Sequence, residues 1–219
     1  MKPKYPLTQK FQDLPDEIPI FTLENALLPG GELPLELSSN EELDLFIGAL
    51  RTDQLIGMIQ PDKHNDITQM YRIGCAGRIR QYRERKDGRI NIMLTGICRY
   101  KIVEVNKAAT FPMARVDWSD FAKDYEVEAL DHKSVKSFKE SLLNYFKRHN
   151  MAVDWDVLDN LPIEQLVNNL ILVVNLEIKN KQKLLEAATL GERLILFSDI
   201  LRSKEEPILS SVPPSTSVN

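Results

Sequence analysis

The order of hydrophobic and polar residues divides the chain into a first part with strand patterns and a second part with helix patterns. Short apolar or alternating segments predict strands at 18–23, 33–37, 54–60 and 111–118. From about residue 125, apolar residues recur at helical spacing. The pattern therefore predicts an α+β protein in which a β-rich region precedes an α-helical bundle.

Sequence signals also mark where individual helices begin. Ser39 and Glu42 have the spacing of a capping box, and Thr189 and Glu192 repeat it near the C-terminus. Pro162 is typical of a first helical turn and predicts a helix that continues through residue 178. The first helix is expected to bury one face, formed by Leu43, Phe46, Ile47 and Leu50.

The clearest local prediction is a long β-hairpin over residues 72–105. Asp87-Gly88 is typical of a two-residue type I′ turn, which would pair residues whose numbers sum to 175. In that register Cys75 and Cys98 share the core-facing side, diagonal to each other and too far apart for an unstrained disulfide. We therefore expect two buried structural cysteines rather than a redox or metal site.

Composition and charge limit the function classes. The 219 residues carry a net charge of −4, which does not favour nucleic acid or an anionic membrane as a general partner. The charge is uneven, because residues 71–101 hold nine Lys or Arg against two acidic residues. The N-terminus lacks the apolar region of a secretory signal, and residues 170–174 are too short an aliphatic run to span a bilayer. A cytoplasmic protein without a membrane partner is expected.

The motifs of common enzyme classes are missing from the sequence. There is no P-loop, no GxSxG nucleophile motif, no HExxH pair and no CxxC knuckle. Acidic pairs such as Asp154 with Asp156 flank helices, where carboxylates complement the helix dipole. We therefore expect no catalytic residues, no metal and no cofactor.

The basic hairpin leaves three interpretations open. The predicted face opposite the core carries Arg78, Arg80, Arg99 and Lys101, with Tyr82 between them. Arginines beside an aromatic residue on a sheet can bind RNA by stacking and phosphate contacts. The same face can instead be a charged surface that opposes aggregation. It can also pair with acidic helices of this chain or of a second subunit in a homodimer.

A second candidate surface is the segment "LLPGG". Gly30 and Gly31 permit a turn with positive φ, which is a sufficient structural reason for the glycines. Leu27 and Leu28 can alternatively present an apolar patch to a protein partner.

Several of these segments resemble the N-terminal substrate-binding domain of Lon proteases. They are "IPIFTL" with Asn25, "LPGGELPL", "LIGMIQP", "IGCAGRI…DGR…LTGICRY" and, late in the chain, Lys181-Gln182 with "LLEA". The resemblance covers residues 18–202 and is strongest at 18–100. It departs from the family pattern at Ser38-Ser39-Asn40-Glu41 and at "NLEIKN", so partner contacts made there by the family do not transfer to this chain.

The resemblance implies a PUA-like β domain followed by a helical bundle. With the composition, it divides the chain into an extended arm at 1–17, a β-rich domain at 18–122, a bundle at 125–203 and a disordered tail at 204–219. It also implies a stand-alone member without ATPase or peptidase modules.

By the same resemblance, we expect a non-catalytic module that binds unfolded or partner polypeptides, with a link to a full-length Lon-type protease. An apolar cleft between the sheet and the helices would hold the polypeptide. Its expected lining residues are Leu27, Leu28, Pro29, Gly30, Tyr82 and Met93. RNA binding by the basic hairpin face is the alternative.

Overall fold

The β-rich region is a six-stranded sheet with the order β2-β7-β6-β3-β1-β8, together with a separate two-stranded hairpin, β4-β5. The computed structural model describes residues 8–64, 67–106, 110–151, 158 and 160–203. Its strands are β1 Glu17–Thr22, β2 Glu32–Leu37, β3 Leu55–Ile59, β4 Pro61–His64, β5 Ile67–Met70, β6 Ile73–Glu84, β7 Ile90–Asn106 and β8 Met113–Asp117.

The length of β7 closes the sheet into a barrel. Its 17 residues pair with β6 along most of their length, with β2 in the first half and with β8 in the second half. Since β8 also pairs with β1, strands β7, β6, β3, β1 and β8 form a closed ring, and β2 lies outside it. Only β1 and β3 run parallel among these pairs. Closure removes the edges of the ring strands and leaves those of the projecting part.

Within the described ranges, five α-helices have defined bounds: α1 Asn40–Arg51, α2 His132–Arg148, α3 Ile163–Val173, α4 Ile178–Glu186 and α5 Leu190–Arg202. Short 3₁₀ helices occupy Phe11–Asp13 and Ser119–Tyr125. The α+β architecture is confirmed. The capping box of α1 is confirmed as well: Ser39 Oγ accepts from the Glu42 N–H, and Glu42 Oε2 accepts from the Ser39 N–H. The predicted continuous helix to residue 178 is wrong, because α3 ends at Val173 and extended backbone at Val174 separates it from α4.

Buried apolar side chains form two clusters. One fills the barrel and includes Ile18, Tyr100 and Trp118. The other lies between the sheet and the helices and joins residues such as Leu94 of β7 to Phe197 of α5. The sheet is therefore buried on both sides over much of its area.

Helix α1 is rotated relative to the face expected from the sequence. It buries Leu45, Phe46 and Ala49, whereas Ile47 is 40% exposed. Gly48 is close-packed, since an added Cβ would lie 2.4 Å from the ring of Phe111. Gly48 therefore packs closely on that ring, beside a buried face formed by Leu45, Phe46 and Ala49.

The hairpin turn differs by one residue from the prediction. The Arg85 N–H donates to the Arg89 carbonyl at 2.8 Å, so residues 86–88 form a three-residue loop, and Gly88 takes the positive φ, +84°. Asp87 has no positive φ, which excludes the type I′ turn. Near the turn the paired residue numbers therefore sum to 174, as in Glu84 with Ile90.

This register, with two irregularities in β6–β7, changes the faces assigned to the cysteines. Cys75 lies opposite Arg99, and Cys98 lies opposite Ala76. Cys75 packs in the cluster under the helices and Cys98 in the barrel, so the prediction that they share a face is wrong. Both are buried free thiols, and burial raises the pKa of each well above its ordinary value.

Candidate functional site

Three strands project beyond the barrel and form an open-ended sheet. Pairing of β3 with β6 ends at Leu55 opposite Arg78, whereas β6 and β7 stay paired as far as Glu84 and Ile90. Strand β2 covers the other side of β7 over the same length. We call this part the hairpin sheet and define it as residues 32–37, 79–84 and 90–95.

The outer face of the hairpin sheet forms a shallow cleft of about 500 Å³. Met93 lies at its centre, with Pro34 opposite it on β2 and Gln81 opposite it on β6. The next row toward the turn carries Asn91 and Arg83. Met93 is half-buried, whereas the neighbouring polar side chains are exposed. A flexible thioether surrounded by polar groups suits variable apolar ligands.

The inner face carries an exposed aromatic ring at its open end. Ile92 is buried between Leu35 and Tyr82, but Tyr82 itself is 61% exposed. Its ring meets Phe46 of α1 edge-on, with centroids 5.5 Å apart, and Ile47 follows on the same helix. The ring is therefore held in place by one neighbour while most of its surface faces solvent.

The predicted cleft residues Tyr82 and Met93 both line the cleft of the hairpin sheet, but their side chains lie on different faces of that sheet. The register shift between Ile79 and Gln81 leaves Arg80 as an extra residue on β6. Such a bulge reverses the side on which the following residues point. Tyr82 therefore joins the inner face, and the prediction that it lies among the arginines of the outer face is wrong.

The predicted Leu27–Gly30 lip is a buried structural turn. Leu27 and Leu28 are 1% and 0% exposed, and Pro29 is buried as well. Asn168 of α3 donates to the Pro29 carbonyl, and Gly30 adopts φ +80°. The turn lies against the helices, so these residues do not line an open cleft, and the prediction that they present an apolar patch is wrong.

The predicted basic face is not continuous. Arg99 is 3% exposed and faces the helices. Ile97 is an extra residue on β7 without a partner on β6, and this bulge puts Arg99 on the side opposite to the one that simple alternation predicts. Arg78 and Arg80 are half-buried and donate to Gln54 Oε1 and Thr8 Oγ1, respectively. Lys101 alone of the four is fully exposed. The predicted RNA-binding surface therefore loses its central arginine.

Arg99 instead joins the barrel to the helical bundle. Its guanidinium pairs with the buried carboxylate of Asp124, with Nη2 and Oδ1 2.7 Å apart, and Nη1 donates to the carbonyls of Leu185 and Ala187 at the end of α4. Burial lowers the pKa of Arg99, but the hydrogen bond and the charge of Asp124 raise it more, so the net shift is upward. Sequence spacing gave no signal of this partnership, since Asp124 lies 25 residues away.

A larger cleft, of about 700 Å³, lies at the other end of the barrel. Ile20 and Ile102 line it, and Val103 at its rim is 45% exposed. It offers no exposed aromatic anchor comparable to Tyr82 among the described residues. Nothing in the strand patterns indicated this cleft, because it depends on how the barrel closes.

Two further classes of site are absent from the described ranges. Across these residues, no group of three His, Cys, Asp or Glu side chains is arranged to hold a metal ion. In the same part of the chain, no helix combines the length and the apolar character needed to cross a membrane.

Sequence comparison identifies relatives over most of the chain. The model of the family described as "ATP-dependent protease La (LON) substrate-binding domain" matches residues 17–203. Lon protease 2 of Myxococcus xanthus is 26% identical over 204 residues, which cover 89% of this chain and 24% of that protein. The peroxisomal Lon protease homolog 2 of Homo sapiens is 26% identical over 210 residues, covering 86% and 25%. The chain thus spans about a quarter of the length of these relatives.

Two solved structures share the fold. A Lon N-terminal domain protein from Xanthomonas campestris aligns with a TM-score of 0.59 at 18% identity, over 83% of this chain and 96% of that one. The N-terminal domain of the Mycobacterium avium complex Lon protease aligns with a TM-score of 0.63 at 18% identity, over 84% and 97%. At this identity the two structures support the fold alone, whereas the family match covers most of the sequence. The chain belongs to the family of Lon substrate-binding domains.

Proposed function

We propose that this chain is a non-catalytic protein-binding module that recognises unfolded or partner polypeptides at the hairpin sheet. The observation that carries the proposal is the 61% exposure of Tyr82 at the end of a sheet whose other face holds the Met93 cleft. Exposed aromatic rings held by a neighbour are typical anchors of protein interfaces.

The chemistry of the hairpin sheet favours polypeptide over a compact small molecule. The cleft is shallow and open, so it cannot enclose most of a ligand as small-molecule sites do. Apolar contact is available on both faces, at Tyr82 and at Met93, with Arg83 beside each. A chain that passes over the edge of the sheet can contact both faces, whereas a small ligand reaches one.

We further propose that the module acts in the cytoplasm as an adaptor in protein quality control, together with a full-length Lon-type protease. The proposal is supported by the family, whose description is that of a substrate-binding domain, and by relatives that are Lon proteases. In this scheme the chain supplies recognition and the protease supplies ATP hydrolysis and peptide cleavage.

The experiment compares binding of a reduced, carboxymethylated model protein with binding of its native form. The full chain is expected to bind the unfolded form only, and the double variant Tyr82→Ala, Met93→Ala is expected to bind it at least about tenfold more weakly, the scale of losing one interface anchor. Val103→Ala, in the larger cleft at the other end of the barrel, is the matched control and should bind like the wild type.

Equal and negligible binding of both forms by the wild type would refute the proposed function. A loss of binding in Val103→Ala, with the double variant unchanged, would keep the function but move the site to the larger cleft. Circular dichroism of each variant confirms that a loss of binding is not a loss of folding.

A further inference from the structure

The distal part of β6 has an open backbone edge. The hydrogen bond from the Arg85 N–H to the Arg89 carbonyl makes these two residues a hydrogen-bonded pair. In an antiparallel ladder such pairs alternate with pairs whose N–H and C=O groups point outward. Tyr82 and Glu84 are therefore the residues of β6 whose backbone groups point away from β7.

No described strand occupies that side of β6. Pairing with β3 ends at Arg78, and the last backbone contact there is the bond from the Ile79 N–H to the Gln54 carbonyl. Among the residues described, no backbone partner is found for the outward groups of Tyr82 or Glu84. An unpaired edge of this kind is a template for another strand.

The opposite edge of the hairpin sheet lacks one backbone donor. Ile92 lies opposite Tyr82, and the backbone groups of this pair point away from each other. The N–H and C=O of Ile92 therefore point toward β2, where they bond to Leu35. Pro34 then faces outward, where its lack of an N–H removes a donor from that edge. The β2 edge keeps the N–H of Glu36 but not one at Pro34, whereas the β6 edge offers the N–H and C=O of both Tyr82 and Glu84 and is the better template for a strand.

The side chains along the open edge define what an added strand must carry. On the inner face, Tyr82 is exposed with its ring against Phe46, so an apolar side chain is favoured there. On the outer face, Arg83 is exposed, so an acidic side chain is favoured there. Arg85 and Arg89 already pair with Glu36, so the positive charge that an added strand meets comes from Arg83 and Lys86, both exposed.

We propose that an extended segment of a partner polypeptide, with apolar and acidic residues in alternation, adds as a strand to the edge of β6 at Tyr82 and Glu84. The apolar residues lie on the face of Tyr82 and the acidic residues on the face of Arg83. The inference rests on the proposed function and specifies its ligand: main-chain hydrogen bonds provide affinity and the alternation provides selectivity.

The first test measures binding of the full chain to three peptides of about ten residues, the upper length of an ordinary strand. Valine alternates with glutamate in the first, the same residues stand in two blocks in the second, and valine alternates with lysine in the third. The first is expected to bind about tenfold or more tightly than either control, because only its alternation places valine on the face of Tyr82 and glutamate on the face of Arg83. Equal affinities for the three peptides would overturn the inference.

The second test locates the added strand by hydrogen exchange of single amides. On saturation with the alternating Val-Glu peptide, the amides of Tyr82 and Glu84 are expected to exchange at least about tenfold more slowly. The amide of Arg83 already pairs with Asn91 and should change less. Unchanged exchange at Tyr82 and Glu84 in a saturated complex would overturn strand addition and leave the proposed function intact.

A variant pair separates backbone from side chain at the same position. Glu84→Pro removes the outward N–H without removing a bond of the β7 ladder, and Glu84→Ala retains that N–H. Glu84→Pro is expected to bind the alternating peptide roughly two- to tenfold more weakly than Glu84→Ala, the value of one hydrogen bond. Equal binding of the alternating peptide by the two folded variants would contradict the inference. Failure of the wild type to bind any unfolded polypeptide would refute the proposed function and, with it, the inference.

Discussion

Replacing Arg99 with methionine tests whether this buried arginine holds the barrel to the helices. The side chains of Arg99 and Asp124 are 4% and 6% exposed, so neither charge is solvated by bulk water. The guanidinium also donates to the Leu185 carbonyl at 3.0 Å and to the Ala187 carbonyl at 2.6 Å. Arg99→Met keeps an unbranched apolar chain in the space and removes the guanidinium donors, while the backbone N–H of residue 99 still donates to Asp124 Oδ2 at 2.8 Å.

The expected cost follows from what remains unpaired. Removing one partner of a buried ion pair costs about 3–5 kcal/mol, because the other charge is left buried. That is a large part of the roughly 5–15 kcal/mol that stabilises an ordinary domain. Arg99→Met with Asp124→Leu removes the stranded carboxylate, so the double variant should regain part of the loss; the carbonyls of Leu185 and Ala187 stay unpaired and prevent full recovery.

Urea unfolding followed by circular dichroism measures these differences as free energies of unfolding. The matched control is Arg115→Met, since Arg115 pairs with Glu104 at 3.0 Å on the barrel surface, where the two side chains are 53% and 70% exposed. An exposed pair of this kind contributes about 0–1 kcal/mol. If Arg99→Met destabilised the protein no more than Arg115→Met does, the junction would depend on apolar packing alone and the reasoning would be refuted.

The remaining predictions concern the thiols and the hairpin turn. Because burial raises the pKa of Cys75 and Cys98, neither should react with a thiol reagent at neutral pH in the folded protein. Both should react after unfolding in urea. Rapid labelling of the native protein would contradict their buried placement. Gly88→Ala should lower the free energy of unfolding by roughly 1–2 kcal/mol, because alanine at a φ of +84° is strained. No neighbour crowds an added Cβ, so the whole cost comes from the backbone angle. Gly88→Asn should cost less, and equal stability of the alanine variant and the wild type would show that the turn has another conformation.

The sequence predicted the order of strands and helices better than it predicted which face each residue occupies. Asp87-Gly88 signals a turn with glycine at positive φ, but a two-residue and a three-residue loop satisfy this requirement equally. The difference of one residue, with the bulges at Arg80 and Ile97, reverses the faces of Tyr82 and Arg99. The alternation of apolar and polar residues does not indicate where an extra residue interrupts a long hairpin.

The buried arginine was missed for a different physical reason. In a segment with nine Lys or Arg, one more arginine is expected to be solvated, because charged residues are seldom buried without a partner. The partners of Arg99 are a carboxylate in the Ser119–Tyr125 segment and carbonyl groups at the end of α4. Those acceptors come together with Arg99 only when the chain has folded, so no spacing in the sequence could indicate them.

Strand β7 explains why the hairpin sheet and the helical bundle are parts of one structure. In its first half, Ile92 and Leu94 point into the cluster shared with the helices. After the bulge at Ile97, Tyr100 points into the barrel, while Arg99 points to the helices. One continuous strand therefore contributes to both clusters and to the candidate binding surface, so the change from strand to helix patterns near residue 125 does not coincide with a boundary between the two cores.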